Sequence, residues 1–136
     1  MKTISLDFSG YWREINKEWI PEESGVYCVY ACTYNRDHQN LSIRELLYVG
    51  ESGNVNERIS NHEKTSDWKR RLRVGEVLCF SMACVGAKDR NQAEAAVINH
   101  HKPSCNTEYK YSFPYDTTVI YTSGRNYLLD TRFVVG

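Results

Sequence analysis

The chain has 136 residues and a mass of 15.8 kDa, enough for one compact domain with a hydrophobic core and too short for two ordinary ones. Hydrophobic residues make up 41% and charged residues 25% of the chain, which excludes wholesale disorder and a fibrous repeat. Because basic and acidic residues both number 17, no global field directs the protein to nucleic acid or a membrane, and anion binding needs a local patch.

The cysteines and the apolar runs indicate the redox state and the compartment. The five cysteines are odd in number and show neither C-x-x-C nor the Cys/His spacing of a structural zinc site. We therefore expect five reduced thiols, and a redox or metal–thiolate protein is the weakest alternative. No apolar stretch approaches the ~18 residues of a membrane span and the opening resembles no secretory signal, so we expect a cytoplasmic protein without membrane contact.

The first half of the chain predicts two strands and a helix after a mixed opening segment. Residues 26–34 are dense in Val, Tyr, Thr and Cys, which suits a strand buried on both faces, and residues 35–42 read as a polar loop. Residues 46–49 form a second apolar run, so the two runs pair as a hairpin with a long connection. Asn54 followed by Glu57 is a capping signal that starts a helix.

The second half predicts a helix, a strand and a longer helix. Residues 67–73 have helical spacing, and the apolar run 77–85 is expected to be a third, central strand. Asp89 and Gln92 indicate the start of a helix, and Pro103 predicts that this helix ends just before it. The order β-β-α-β-α predicts a mixed α/β (α+β) domain.

The tail adds a β-hairpin to this plan. Two β-like runs, 117–122 and 127–135, are separated by a turn at 123–126. We therefore expect a single domain over 1–136, with a motif core at about 25–106 and a C-terminal extension at 107–136.

An ordered set of motifs runs through the core. It comprises Gly25-Val26-Tyr27, then Tyr48-Val49-Gly50, then Asn54-x-x-x-Arg58-Ile59-x-x-His62, a helical Glu94, and Pro103-x-x-Asn106. This set resembles the GIY-YIG nuclease family over about 80 residues. The resemblance implies a small three-stranded antiparallel sheet flanked by helices, and cleavage of DNA phosphodiester bonds with one divalent metal ion, Mg²⁺ or Mn²⁺.

The resemblance also assigns catalytic roles. Tyr27 would activate the attacking water and Tyr48 would hydrogen-bond the water or the phosphate; a phenol with a pKa near ~10 needs positive charge nearby to do so. Glu94 would hold the metal through hard oxygen ligands. Arg58 would grip the scissile phosphate with its planar fork of donors. His62, one helical turn after Arg58, would share proton transfer or hold Tyr27 by a hydrogen bond.

Simpler structural roles compete with these assignments. Arg58 could form a surface salt bridge with Glu57 or Glu63, and Glu94 could be a solvated helix residue. The two motif tyrosines would ordinarily be sheet aromatics, since tyrosine favours strands. Only their place in the motif distinguishes them.

Three further motif residues support the site rather than react. Gly25 and Gly50 lie where the backbone must turn or come close to something, for which hairpin geometry alone is sufficient. Asn106 would brace the site by hydrogen bonds, or is a simple turn residue. His100 and His101 carry no motif role and are interpreted as ordinary surface or helix-end residues.

One basic cluster gives a local charge surplus. Between residues 54 and 73, six positive residues face three negative ones, and Lys69, Arg70, Arg71 and Arg73 form the cluster. It could bind flanking DNA phosphates by counterion release, or be a solvated face.

Two features depart from the family pattern. Twenty residues separate Tyr27 from Tyr48, more than the usual compact spacing, and acidic Glu51 directly follows the second tripeptide. The main hypothesis is a metal-dependent DNA endonuclease. The alternative is a catalytically silent nucleic-acid-binding or protein-interaction module on the same scaffold. The sequence leaves open the DNA structure or sequence preferred, and whether a homodimer or a protein partner provides targeting.

Overall fold

The computed structural model describes residues 1–136 and has a six-stranded sheet flanked by helices. The strands are β1 (Lys2–Arg13), β2 (Gly25–Asn35), β3 (Asn40–Ser52), β4 (Val77–Cys84), β5 (Thr118–Gly124) and β6 (Arg132–Val135). The helices are α1 (Val55–Ser60), α2 (Thr65–Arg70) and α3 (Ala87–His101), and a 3₁₀ helix covers Glu14–Trp19. The predicted mixed α/β class is confirmed.

The sheet contains the predicted antiparallel unit and extends beyond it. The strand order is β3-β2-β4-β1-β5-β6, and the first three strands form the antiparallel core. β1 pairs antiparallel with β4 and parallel with β5. The predicted C-terminal hairpin is β5 with β6, although β6 covers only the last part of the run 127–135. The predicted three-stranded core and the predicted hairpin are therefore parts of one sheet, and β1 is its one additional strand.

β1 is the element that sequence analysis did not predict. Ile4, Leu6 and Phe8 are buried and alternate with exposed residues along the strand, which is the period of a strand with one buried face. Because β1 lies between β4 and β5, it is also the strand that connects the C-terminal hairpin to the motif core.

The predicted long loop between the first two motif strands is wrong. β2 runs to Asn35 and β3 starts at Asn40, with these two residues paired, so only residues 36–39 form the turn. The Asn35 side chain accepts hydrogen bonds from the backbone N–H groups of Asp37 and His38, at 3.0 and 3.1 Å, which stabilises this polar turn. The extra length between the motif tyrosines is therefore a longer hairpin.

β2 is buried on both faces, as predicted, because its side chains alternate between two cores. One core cluster of 20 buried residues includes Val26, Cys28 and residues of α3. The other, of 11 buried residues, includes Tyr27, Val29 and residues of α1 and α2. Tyr27 is thereby fixed on the side of the sheet that carries the two short helices.

The expectation of five reduced cysteines is wrong for two of them. Cys32 on β2 and Cys79 on β4 form a disulfide, with Cα atoms 6.5 Å apart. They lie diagonally across neighbouring antiparallel strands, within the Cα range that a disulfide spans. Their separation of 47 residues shows no recognisable spacing, so only the strand pairing reveals them. Cys28, Cys84 and Cys105 are free thiols.

The predicted cap of α1 and the predicted stop of α3 are confirmed, whereas the predicted cap of α3 is wrong. The Asn54 side chain accepts a hydrogen bond from the backbone N–H of Glu57 at the start of α1. α1 ends at Ser60, so His62 lies just beyond the helix rather than one helical turn along it. α3 begins at Ala87 with Gly86 as its N-cap and without a side-chain cap, so Asp89 lies inside the first turn; the helix ends before Pro103. None of the helices is both long and apolar enough to cross a membrane.

Candidate active site

The two motif tyrosines meet on one face of the β2–β3 hairpin. The register pairs Tyr27 with Gly50 and Val29 with Tyr48, so the tyrosines are diagonal neighbours with ring centroids 6.3 Å apart. A Cβ atom at position 50 would overlap the ring and hydroxyl of Tyr27, and one at position 25 would overlap the carbonyl oxygen of Ala83. Glycine is therefore required in both tripeptides by close packing, rather than by turn geometry.

His62 contacts Tyr27 directly. Its Nε2 atom lies 2.9 Å from the Tyr27 hydroxyl, and its Nδ1 atom accepts a hydrogen bond from the backbone N–H of Lys64 at 3.1 Å. Because Nδ1 accepts, the proton of the neutral ring is on Nε2, which donates to Tyr27. Burial, followed by the charge of Arg58, lowers the pKa of His62 to about 4. His62 is thus a neutral donor at physiological pH.

Trp68 on α2 packs against the imidazole of His62. The indole is fully buried, and its centroid lies 4.4 Å from that of His62 and 5.3 Å from that of Tyr48. These contacts restrict the orientation of both rings. Sequence analysis placed Trp68 on a helix by its apolar spacing and did not connect it with the site.

Arg58 is paired with a carboxylate. Its two terminal nitrogens donate to the two oxygens of Glu63 at 2.6 and 2.8 Å. The guanidinium is the main reason why the pKa of Glu63 falls to about 2. Of the two acidic partners considered from sequence, the structure selects Glu63 and not Glu57. The guanidinium of Arg58 therefore makes a bidentate contact with the carboxylate of Glu63, whose two oxygens have the arrangement of two phosphoryl oxygens.

Glu94 is a largely buried carboxylate without a cationic partner. It lines a cavity of about 250 Å³ together with Tyr48, Asn106 and Glu108. It forms no ion pair, and burial, then the charges of Glu51 and Glu108, raises its pKa to about 7. An uncompensated carboxylate with acidic neighbours attracts a cation. The simple alternative of a solvated helix residue does not fit this burial.

Glu51, the acidic residue that departs from the family pattern, is held by α3. Its carboxylate pairs with the guanidinium of Arg90, which also donates to the hydroxyl of Ser24 at 2.9 Å. Arg90 lies four residues before Glu94 on the same helix. The extra acidic charge after the second tripeptide is therefore compensated within the protein.

Asn106 fastens the chain after α3 to the free edge of β3. Its side-chain oxygen accepts from the backbone N–H of Val49, and its amide nitrogen donates to the Val49 carbonyl, both at 2.9 Å. The backbone N–H of Cys105 donates to the Leu47 carbonyl at 2.8 Å. These bonds brace the strand that carries Tyr48 and form one wall of the cavity.

The basic cluster is largely neutralised by ion pairs and lines no part of this cavity. The pairs are Lys69–Glu14 at 3.1 Å, Arg70–Asp67 at 2.6 Å and Arg71–Glu45 at 3.7 Å. Arg73 is exposed and has no ion-pair partner. The local charge surplus read from the sequence is therefore smaller in the fold, since two of the partners come from distant parts of the chain.

The comparison with known families agrees with the motif analysis. The model of the GIY-YIG catalytic domain matches residues 26–110, more than half of the chain, from the first tripeptide to just beyond Asn106. No curated protein and no solved structure matches the chain. Domains of the matching family are generally endonucleases.

Proposed function

Since this chain belongs to the GIY-YIG nuclease family, we propose that it is a metal-dependent endonuclease that hydrolyses DNA phosphodiester bonds. The observation that supports this most is that Tyr48 and the uncompensated carboxylate of Glu94 line one small polar cavity. Tyr27 and His62 adjoin Tyr48 in the same aromatic group.

Tyr27 is the proposed base that activates water, with His62 as its positioning partner. The Nε2–H of His62 donates to the phenol oxygen, and a donor at that oxygen favours the phenolate over the phenol. Burial acts in the opposite direction and raises the pKa of Tyr27 well above its usual range, while the charge of Arg58 lowers it. Proton abstraction by Tyr27 therefore requires additional positive charge beside the ring.

Glu94 is the proposed ligand for that charge, a Mg²⁺ or Mn²⁺ ion. Its carboxylate offers hard oxygen donors, lacks a protein cation, and has Glu51 and Glu108 nearby, which fits a cation that takes one or two carboxylates and keeps several waters. A divalent ion in such a site supplies Lewis-acid stabilisation of charge on phosphoryl oxygens and lowers the pKa of nearby water and phenol groups.

Arg58 is the proposed phosphate ligand. The guanidinium carries positive charge close enough to both motif tyrosines to lower their pKa values. Glu63 occupies its fork in the structure and is exposed. A phosphodiester that enters the site offers two oxygens in the same arrangement, so it can replace Glu63 at the fork.

The second candidate is a catalytically silent nucleic-acid-binding or protein-interaction module on the same scaffold. The observation that favours it is the closed Arg58–Glu63 pair, which leaves the proposed phosphate ligand engaged. Cleavage assays separate the two candidates, because a silent module binds DNA without breaking a bond.

The test is a panel of end-labelled duplex, branched and single-stranded DNA, each incubated with the full chain in Mg²⁺, in Mn²⁺ and in EDTA. We expect metal-dependent strand breaks on at least one substrate, abolished by Glu94→Gln and retained by Glu22→Gln, which removes an exposed carboxylate without an ion pair. Cleavage that persists in EDTA overturns the metal assignment. DNA binding without cleavage on every substrate favours the silent module.

A further inference from the structure

Two adjacent histidines and one aspartate meet where the end of α3 contacts the loop between β5 and β6. The ligating atoms of His100, His101 and Asp130 all lie within 4.8 Å of one another. The His100 Nε2 atom lies 2.7 Å from a carboxylate oxygen of Asp130. The three side chains come from chain segments 30 residues apart, so the fold, and no sequence motif, assembles them.

The second observation is the state of the His101 ring. Its Nε2 atom accepts a hydrogen bond from the backbone N–H of Asp130 at 3.2 Å. An accepting nitrogen is unprotonated, so its lone pair points towards the aspartate. A neutral imidazole nitrogen is the form that binds a metal ion.

The orientation of both rings is fixed by packing, and both Nε2 atoms point towards Asp130. Phe133 on β6 stacks on His100 with centroids 4.2 Å apart and planes 6° apart, and it meets His101 edge-on at 5.3 Å. The loop is anchored as well, because the Thr122 hydroxyl donates to the Asp130 backbone carbonyl at 2.8 Å. Orientation of ligands by their neighbours is what raises the affinity of protein metal sites.

We propose that His100, His101 and Asp130 form a binding site for Zn²⁺ that fastens the β5–β6 loop to the end of α3. Two imidazoles and one carboxylate suit a borderline ion such as Zn²⁺, with solvent at the fourth position, better than they suit Mg²⁺. On binding, the metal replaces the hydrogen between His100 and Asp130, and that proton leaves to solvent. The backbone N–H of Asp130 gives up its hydrogen bond to His101 Nε2, so that this lone pair binds the metal.

The proposed Zn²⁺ site is separate from the metal site proposed at Glu94. His101 lies seven residues after Glu94 on α3, about 10 Å along the helix axis. The donor sets also differ, since Glu94 has oxygen-bearing neighbours and the new site has two nitrogen ligands. The two sites should therefore respond independently to Zn²⁺ and Mg²⁺.

The test is isothermal titration calorimetry of the full chain with ZnCl₂ and, separately, with MgCl₂. The free thiols Cys84 and Cys105 are exposed or partly exposed, and thiolates are good Zn²⁺ ligands, so all titrations use the C84S/C105S background. We expect one equivalent of Zn²⁺ to bind in that background. His101→Gln and Asp130→Asn should each weaken binding by at least about 10-fold, whereas His38→Gln, which alters an exposed turn histidine, should not.

A second measurement distinguishes a specific loss of Zn²⁺ binding from misfolding of the variant. Excess Zn²⁺ should raise the melting temperature of the background protein by several degrees and leave that of Asp130→Asn unchanged, while far-ultraviolet circular dichroism of the variant stays that of the parent. Equal Zn²⁺ affinity in all variants overturns the proposal and leaves the three residues as a hydrogen-bonded clamp. Loss of Zn²⁺ binding in Glu94→Gln also overturns it, because the ion would then occupy the nuclease site.

Discussion

The imidazole of His62 donates a hydrogen bond to the hydroxyl of Tyr27, across 2.9 Å, while its other nitrogen accepts from the backbone of Lys64. This arrangement fixes the tautomer, and it excludes a neutral His62 from taking a proton from Tyr27 through Nε2. Of the two roles expected for His62 from sequence, the geometry therefore favours holding Tyr27 over sharing proton transfer.

We predict that His62 remains neutral, with its proton on Nε2, down to a pH of about 4. Long-range ¹H–¹⁵N spectra of histidine-labelled protein should show this tautomer at pH 7 and no titration of the ring near 6.5. The exposed turn residue His38 is the internal reference for the labelled spectra. A His62 ring that protonates near neutrality would restore it as a candidate proton carrier.

For Tyr27→Phe we predict a folded protein that loses most of its cleavage. The ring and its packing are kept, and the loss of the hydroxyl leaves the buried His62 donor unpaired, a cost of about 1–3 kcal/mol of stability. Single-turnover cleavage should fall by at least the ~10²-fold typical of a lost acid-base group, with a smaller loss for Tyr48→Phe.

The matched control is Tyr30→Phe, which also removes one hydroxyl from a buried tyrosine of β2. That hydroxyl donates to the backbone carbonyl of Tyr127 at 2.9 Å, on the other side of the strand. Melting curves should place Tyr27→Phe and Tyr30→Phe close together in stability, whereas only the former loses activity. Full activity of Tyr27→Phe would remove the proposed base.

The Arg58–Glu63 pair gives two variants with opposite expected effects. Arg58→Lys should be strongly impaired in cleavage although the charge is kept, since a point charge cannot make the bidentate contact with phosphate. Glu63→Gln should tighten DNA binding, because Arg58 no longer has to break an ion pair with a carboxylate before it binds phosphate. Affinity measured by fluorescence anisotropy in Ca²⁺ or without metal, beside single-turnover rates, separates the two effects. Near-normal turnover of Arg58→Lys would assign Arg58 to the surface.

Glu94 should make stability depend on pH in the direction opposite to that of a salt-bridged acid. Its pKa in the folded protein, about 7, lies above the ordinary value of 4.5, so the folded state holds the proton more tightly than the unfolded state. The free energy of unfolding therefore loses a contribution as pH rises from about 4.5 to about 7. His62 and His101 have pKa values lowered to about 4 and act in the opposite sense, because they favour folding as pH rises.

We predict that Glu94→Gln is more stable than the parent at pH 8, by about 1–3 kcal/mol, and nearly equal to it at pH 4. The histidine contributions are common to both proteins and cancel in the difference. Urea unfolding at the two pH values, without divalent metal, measures this effect. Mg²⁺ should then stabilise the parent at pH 8 and not the variant. An equal response of both proteins to Mg²⁺ would remove Glu94 as the metal ligand.

Much of the site could be predicted from the chain because its residues lie in short, ordered motifs on elements with clear signals. The cap at Asn54, the stop at Pro103 and the apolar runs placed Tyr27 and Tyr48 correctly on strands, and Arg58 and Glu94 on helices. His62 lies beyond the helix predicted for it. The extent of the sheet was harder to predict. β1 has a plain two-residue period, but nothing local indicates that it pairs with β5, about 115 residues later.

The missed contacts share one physical cause, which is that they join segments with no common local pattern. The Cys32–Cys79 disulfide depends on the register between β2 and β4. The packing of Trp68 on His62 depends on the way α2 folds back onto the sheet. The ion pair of Lys69 with Glu14 depends on the path of the 3₁₀ helix. Sequence analysis therefore selected the residues that are proposed to react, and it could not identify what surrounds them.

The last prediction concerns the basic cluster, whose four residues differ in their ion pairing. Arg73 has no ion-pair partner, whereas Lys69, Arg70 and Arg71 are each paired with an acidic residue. A paired side chain must give up its partner before it can neutralise a phosphate, so its net contribution to DNA binding is smaller. We expect Arg73→Gln alone to reduce the slope of log affinity against log salt by about 1, and Lys69→Gln to reduce it by less.

Removing all four charges should flatten the salt dependence further while the cleavage rate at saturating DNA is kept, because none of the four lines the cavity of Tyr48 and Glu94. Arg36→Gln, which changes an exposed arginine in the β2–β3 turn, is the control for net charge. If the slope of the fourfold variant equals that of the parent, DNA approaches the site along a different surface.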